Sequence, residues 1–278
     1  MMFDNIIGHD DKKAYFENII TKHNISHSYI FYGEDGIGKL TFAKEFAKKV
    51  LNTDNLESCQ DFKIINKLED KKDIIVEQVR KEILDDIYIA PISGDHKVYI
   101  INDAELLNVA AQNALLKTLE EPPKYIVIIL VCSNINKILT TILSRANKIN
   151  FTGIKSNQIN EYLNKKFNTI LSENVLNYVN GSLGKAINIV NYDLTDKFTI
   201  VDQLVKNIEN KDVIASFDVI KNLDFQNGDI IQYFEYMLYE RKLYSSIKYI
   251  EKAITRLKNN GNYDIVIDNM ILKIIEEI

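Results

Sequence analysis

The sequence predicts an α/β fold, with a parallel sheet in the first half of the chain and an entirely helical second half. Three observations carry that reading. Short runs rich in β-branched and aromatic residues alternate with longer segments of helical spacing between positions 28 and 151. Pro91, Pro122 and Pro123, the only prolines, all fall in this half. Beyond Phe151 strand-like alternation stops, and apolar residues recur at helical intervals to the end.

The predicted strands are SYIFY (28–32), FKIIN (62–66), KVYIIN (97–102), YIVIILVCS (125–133) and NKINF (147–151). Most are nearly continuous in apolar character, which suits strands covered by helices on both faces. Right-handed crossovers would gather the loops after each strand on one edge, where α/β proteins bind ligands. After the sheet, SNQINEYLNKKF, SENVLNYVN and SLGKAINIVN read as three short helices, with Gly181 and Gly184 near a turn. From about Asp193, Phe234, Leu238, Ile247, Ile250, Ile254 and Leu257 repeat at the spacing of a helical bundle. The expected domains are therefore 1–152, 153–192 and 193–278.

Composition narrows the function classes. With 278 residues and 46% hydrophobic content, the chain is long enough to bury a core without covalent staples. No apolar run approaches the ~18 residues that suggest a membrane span. The opening MMFDNIIGHDDKK lacks the basic region and apolar run of a secretory signal, so a cytoplasmic protein is expected. A formal charge of −5 disfavours non-specific DNA binding by this chain alone. Cys59 and Cys132 read as reduced thiols, and His9, His23, His27 and His96 as packing or surface residues without ligand spacing. Tyr233, Tyr236, Tyr239, Tyr244 and Tyr249 read as core or interface residues of the helical bundle.

The segment FYGEDGIGKL carries the most specific chemistry. Gly33, Gly36, Gly38 and Lys39 stand between a predicted strand and the helix KLTFAKEFAKKVL, the setting of a phosphate-cradling loop. Such a loop aims backbone N–H groups and a lysine at phosphate oxygens, and the next residue supplies a hydroxyl to Mg²⁺. Here that residue is Leu40, and Thr41 lies about 100° further round the helix. Phosphate binding and phosphoryl transfer must therefore be judged separately.

HSYIFYGEDGIGK (27–39), NALLKTLEEPP (113–123), TTILSRA (140–146) and the opening FDNIIGHDDKKAYFENII together resemble the bacterial clamp-loader branch of the AAA+ proteins, over roughly the first 190 residues. The resemblance implies an AAA+ domain, a helical lid and a C-terminal helical collar. It also implies assembly with gamma/tau and delta subunits into a hetero-pentamer that places a sliding clamp on primed DNA within the DNA polymerase III holoenzyme. The branch includes the gamma/tau motors and a delta-prime subfamily whose members are largely non-hydrolysing.

By that resemblance, Asn102 stands where the motor has its Mg²⁺-supporting aspartate and Asp103 where it has its water-activating glutamate. Gly184 stands at the position of the motor's phosphate-sensing arginine, with Lys185 one step away. Glu105 reads as a solvated acid at a helix start. Leu40, Asn102 and Gly184 together give the delta-prime profile: nucleotide binding without hydrolysis at most. Ser144 and Arg145 match the family's Ser-Arg-Cys motif, whose arginine reaches ATP on the adjacent subunit, although Ala146 replaces the cysteine. Many relatives carry a four-cysteine zinc module after the loop helix. Cys59 alone cannot build one, so no zinc is expected. Arg80 and Lys81 lie on a helix that faces DNA in related loaders, yet Glu77, Glu82 and Asp85 make it a mixed-charge surface. The rival expectation is an active gamma/tau-like ATPase using Thr41 with Asp103 or Glu105.

Overall fold

The computed structural model describes residues 2–278 and divides into two compact units, Met1–Tyr162 with Asn180–Lys185, and Leu163–Val179 with Ala186–Ile278. In the first unit, β1 (Ser28–Tyr32), β2 (Phe62–Ile65), β3 (Lys97–Ile101), β4 (Ile126–Cys132) and β5 (Asn147–Asn150) form one parallel sheet. The strand order is β2-β3-β4-β1-β5. All five predicted strands are present, each within a residue or so of its expected ends. β3 stops at Ile101 because Asp103 adopts a left-handed φ of 50° and turns the chain into a short 3₁₀ turn, Ala104–Leu106.

Side-chain alternation explains why the strands read as continuous apolar runs. In β4, Ile126, Ile128, Leu130 and Cys132 enter one core, while Val127, Ile129 and Val131 enter the other. The helices α1 (Asp10–Thr21) and α2 (Lys39–Leu51) cover the second face with an aromatic cluster of Phe16, Phe31, Phe42, Phe46 and Phe151. Phe16 is fully buried there, 4.6 Å from the Phe46 ring centroid. The opposite face is covered by α3 (Val76–Val79) with its continuing π-helical turn Arg80–Leu84, by α4 (Val109–Glu120) and by α5 (Thr140–Leu143). Asn108 starts α4 by accepting from the Ala111 N–H at 2.8 Å, which satisfies an otherwise orphaned donor.

The three short helices expected after the sheet are α6 (Ser156–Phe167), α7 (Glu173–Val179) and α8 (Leu183–Asn191). Beyond Asn191 the second unit holds α9 (Thr195–Glu209), α10 (Val213–Ile220), α11 (Gly228–Glu240), α12 (Ile247–Lys258) and α13 (Tyr263–Glu277). Tyr233 is buried, stacks on Phe198 at 4.1 Å and donates to Asp202, so it packs as expected. Tyr239 and Tyr244 meet edge to face on the surface, both more than half exposed. No helix of the described residues is long and apolar enough to cross a membrane.

Candidate functional site

The loop from Gly33 to Gly38 leaves the C-terminal end of β1, and its backbone is held by protein donors at every carbonyl. Lys39 Nζ donates to Gly33 O at 2.7 Å and Glu34 O at 2.6 Å. Ser182 Oγ donates to Asp35 O at 2.9 Å, and Gly184 N donates to Gly36 O at 2.8 Å. His9 Nε2 lies 2.8 Å from Ile37 O, and Phe42 N donates to Gly38 O at 2.9 Å. Gly36 and Gly38 take φ of 75° and 96°, a region that favours glycine. The first N–H groups of α2 have no intrahelical acceptor, so the loop and helix start together offer donors and positive dipole to a phosphate.

Lys39 is 6% exposed. Burial lowers its pKa, while the charges of Asp35, Glu105 and Asp103 oppose that shift. Leu40 does not face this site as a missing ligand would: its side chain packs against the aromatic core. Thr41 is exposed. The position after Lys39, where the resemblance expects a metal-binding hydroxyl, instead carries a partly buried side chain packed on the hydrophobic core.

The acidic side of the site is built where β3 and β4 end. Asn102 Nδ2 donates to Asp103 Oδ2 at 3.0 Å. Asp103 is raised in pKa by desolvation and by the charges of Glu105 and Asp35, against opposing contributions from Lys39 and Lys67. Glu105 departs from its reading as a solvated acid. It is partly buried, and its Oε1 accepts from the Ser133 backbone N–H at 2.9 Å and from the Ser133 hydroxyl. Its Oε2 is buried without a hydrogen-bond partner. The left-handed turn at Asp103 is the physical reason: it swings the 3₁₀ turn back over the end of β4. Cys132 sits beside this group, its thiol pushed up to about 12, first by burial and then by the Glu105 charge.

The glycine-rich turn and the start of α2 have the residue types of a phosphate site, although Lys39 Nζ is taken up by the Gly33 and Glu34 carbonyls, whereas the metal position does not fit Mg²⁺. Leu40 has no oxygen to offer, and Asn102 brings an amide where a carboxylate would be needed. Among the described residues, no three His, Cys, Asp or Glu side chains are grouped to hold a metal ion.

The segment that carries Gly184 lies directly on the loop. Asn180 Nδ2 contacts the Glu34 carboxylate at 3.2 Å, next to the Ser182 and Gly184 bonds already described. A Cβ on Gly184 would come 3.0 Å from Gly36 Cα. An arginine cannot occupy this position unless the loop moves, which accounts for glycine here. Neither the contacts of Asn180 and Ser182 nor that of His9 was visible in the sequence, since each joins distant segments through one polar atom. Ser133 did carry a signal, because the residue after β4 must lie on the same sheet edge as Asn102.

Ser144 and Arg145 are brought together at the other end of β1. Buried Ser28, the first residue of β1, donates its hydroxyl to Arg145 O at 2.8 Å. The Arg145 guanidinium donates through Nη1 to Thr141 O at 2.8 Å and Ser144 Oγ at 3.1 Å. Its Nη2 lies 2.8 Å from Glu120 Oε1. Between Ser28 and Gly33 runs the whole of β1, roughly 16 Å at ~3.3 Å per residue. Arg145 therefore lies at the sheet edge opposite the loop of its own chain. Arg80 and Lys81 are exposed within the π-helical turn.

Comparison with known proteins follows the same lines. The family described as DNA polymerase III, delta subunit, matches residues 8–155. Over 234 residues the chain is 29% identical to DNA polymerase III subunit gamma/tau of Mycoplasma genitalium, covering 80% of this chain and 38% of that protein. Over 217 residues it is 31% identical to DNA polymerase III subunit tau of Bacillus subtilis, covering 73% of this chain and 38% of that protein. The chain thus spans little more than a third of the length of these curated relatives. In fold it is similar to a solved DNA polymerase III gamma-subunit-related protein of Thermotoga maritima, with a TM-score of 0.57 at 17% identity over 94% of this chain and 99% of that one.

Proposed function

This chain belongs to the DNA polymerase III delta-subunit family, a group related to the gamma/tau clamp-loader subunits, and on that footing we propose that it is a delta-prime-type subunit. In this reading it is a largely non-hydrolysing AAA+ subunit that helps load the sliding clamp onto primed DNA. It assembles with gamma/tau and delta in a hetero-pentamer of the DNA-directed DNA polymerase (nucleotidyltransferase) holoenzyme. Residues 1–152 serve as the nucleotide-binding-like domain, 153–192 as the lid and 193–278 as the collar.

The observation that carries the proposal is the separation of Arg145 from its own phosphate loop by the length of β1. A guanidinium on that edge is out of reach of its own loop, which supports a role toward a phosphate held by another subunit. There it offsets the charge that spreads over the γ-phosphoryl oxygens in the transition state. Gly33, Gly36, Gly38 and Lys39 retain the means to hold a phosphate, while Leu40 and Asn102 remove the supports for the metal that phosphoryl transfer needs. Ser144 acts through Arg145 by accepting its Nη1 hydrogen bond.

In a complex reconstituted with gamma/tau and delta, Arg145→Ala is expected to lower ATPase at the site it serves by about 10³- to 10⁵-fold. Unchanged ATPase and clamp-loading rates reject the role. A second reading, an active gamma/tau-like motor, is favoured by the inward turn of Glu105 and by its charge acting on Lys39. The chain alone, incubated with ATP and Mg²⁺, separates the two: sustained turnover abolished by Lys39→Ala supports the motor, and its absence supports the delta-prime reading.

A further inference from the structure

Glu120 ends α4, the helix whose start is fixed by the Asn108 cap, and it is half exposed. Its Oε1 lies 2.8 Å from Arg145 Nη2. An isolated surface pair of this kind contributes little to stability. Around Arg145, however, the pair completes a set of contacts that orders the whole residue. The main-chain carbonyl is held by buried Ser28, Nη1 is held by Thr141 O and Ser144 Oγ, and Nη2 is held by Glu120.

We propose that Glu120 is a positioning residue for Arg145, fixing the guanidinium in the orientation it presents to a neighbouring subunit. This rests on the reading that Arg145 acts in trans. The donor inventory of arginine supports it. Thr141 O and Ser144 Oγ engage the two N–H groups of Nη1 and Glu120 Oε1 pairs with Nη2 by charge, which leaves the Nε N–H and the outer side of Nη2 for the oxygens of a phosphate. The three acceptors come from α5, the residue that follows it, and the end of α4, so two elements of the scaffold define the orientation before any partner docks. A long side chain ordered in advance loses less entropy on meeting its target, and a displacement of about 1 Å at such a group can cost ~10²-fold in rate. The same carboxylate partly offsets the Arg145 charge, so Glu120 favours orientation at some expense in field strength. Its half-exposed position keeps that opposing effect weak through solvent screening.

The test uses the full complex with wild-type gamma/tau and delta subunits, with co-elution confirming assembly, and reads kcat and KM for ATP. Glu120→Ala is expected to lower kcat at the served site by about 10- to 100-fold, with KM within about twofold of wild type, because orientation matters in the transition state more than in ground-state binding. Glu120→Gln keeps an acceptor oxygen and should recover most of the rate. In the Arg145→Ala background, Glu120→Ala should change nothing further, since its effect runs through the guanidinium. Wild-type kcat in Glu120→Ala alongside a depressed Arg145→Ala overturns the positioning role and leaves the trans arginine intact. No effect of Arg145→Ala overturns both. Additive losses in the double variant, or failure of Glu120→Ala to co-elute, also overturn positioning, because Glu120 then acts independently of Arg145.

Discussion

Substituting Gly36 by alanine tests how firmly the phosphate loop is fastened by the Asn180–Lys185 segment. Gly36 has a φ of 75°, and a Cβ there would lie 2.2 Å from Ser182 Oγ and 3.4 Å from Gly184 Cα. Ser182 is 1% exposed, so its hydroxyl has no room to swing into solvent. The left-handed conformation costs alanine about 1–2 kcal/mol. Expelling the Ser182 hydroxyl breaks its bond to Asp35 O, and the accompanying shift weakens Gly184 N to Gly36 O, each worth about 1 kcal/mol net. The total is about 3–4 kcal/mol of local stability, which corresponds to ~10²- to 10³-fold faster exchange of the Gly184 amide hydrogen. Amide hydrogen exchange followed by NMR reads this directly at the group that bonds to the loop. In a Ser182→Ala background the collision is absent, and Gly36→Ala should then cost only the backbone part, about 1–2 kcal/mol. Exchange at Gly184 that changes less than about threefold, or a cost undiminished by Ser182→Ala, refutes the fastening.

Two further perturbations address other parts of the first unit. Asp86 accepts from Tyr99 Oη at 2.7 Å and pairs with Lys63 at 3.0 Å and with Lys97 at 3.1 Å. Burial pushes its carboxyl up, but those three partners outweigh it and hold the pKa below 3.8. Lys97 is 2% exposed, so Asp86→Ala should cost about 3–5 kcal/mol in urea unfolding by stranding a buried ammonium, and a loss below about 1 kcal/mol contradicts the pairing. His9 has its pKa lowered from 6.5 chiefly by burial, against the opposing bond to Ile37 O. The folded chain thus takes up that proton less readily than the unfolded one, so this contribution is complete above pH 6.5 and declines as pH falls from there toward the folded value. His9→Gln retains a donor for Ile37 O and should flatten the fall in urea midpoint between about pH 7 and about pH 5. An unchanged slope removes His9 from the account.

The sheet was legible because parallel strands buried on both faces leave a strong local imprint, as in the run from Ile126 to Cys132. The helices after Phe151 were legible for the same reason at a different period. Gly33, Gly36, Gly38 and Lys39 announced the phosphate loop because its turn requires glycines at fixed intervals before a lysine. Glu105 was misread. Its orientation depends on one left-handed residue, Asp103, and an aspartate signals that conformation only weakly.

The sequence by itself determined the order of strands and helices along the chain, the glycine-rich turn ahead of Lys39, and the absence of a hydroxyl at Leu40 and of a carboxylate at Asn102, because these properties reside in residue type and local spacing. Only the tertiary structure decided what surrounds them. It packed Leu40 against the aromatic core, turned Glu105 onto Ser133 and seated Gly184 against Gly36. It also set Arg145 beside Glu120 at the far end of β1 from the loop. Each of these is a meeting of segments remote in sequence through one or two atoms. Such contacts are chosen by how the packed layers bring strand ends together, and no local pattern encodes them.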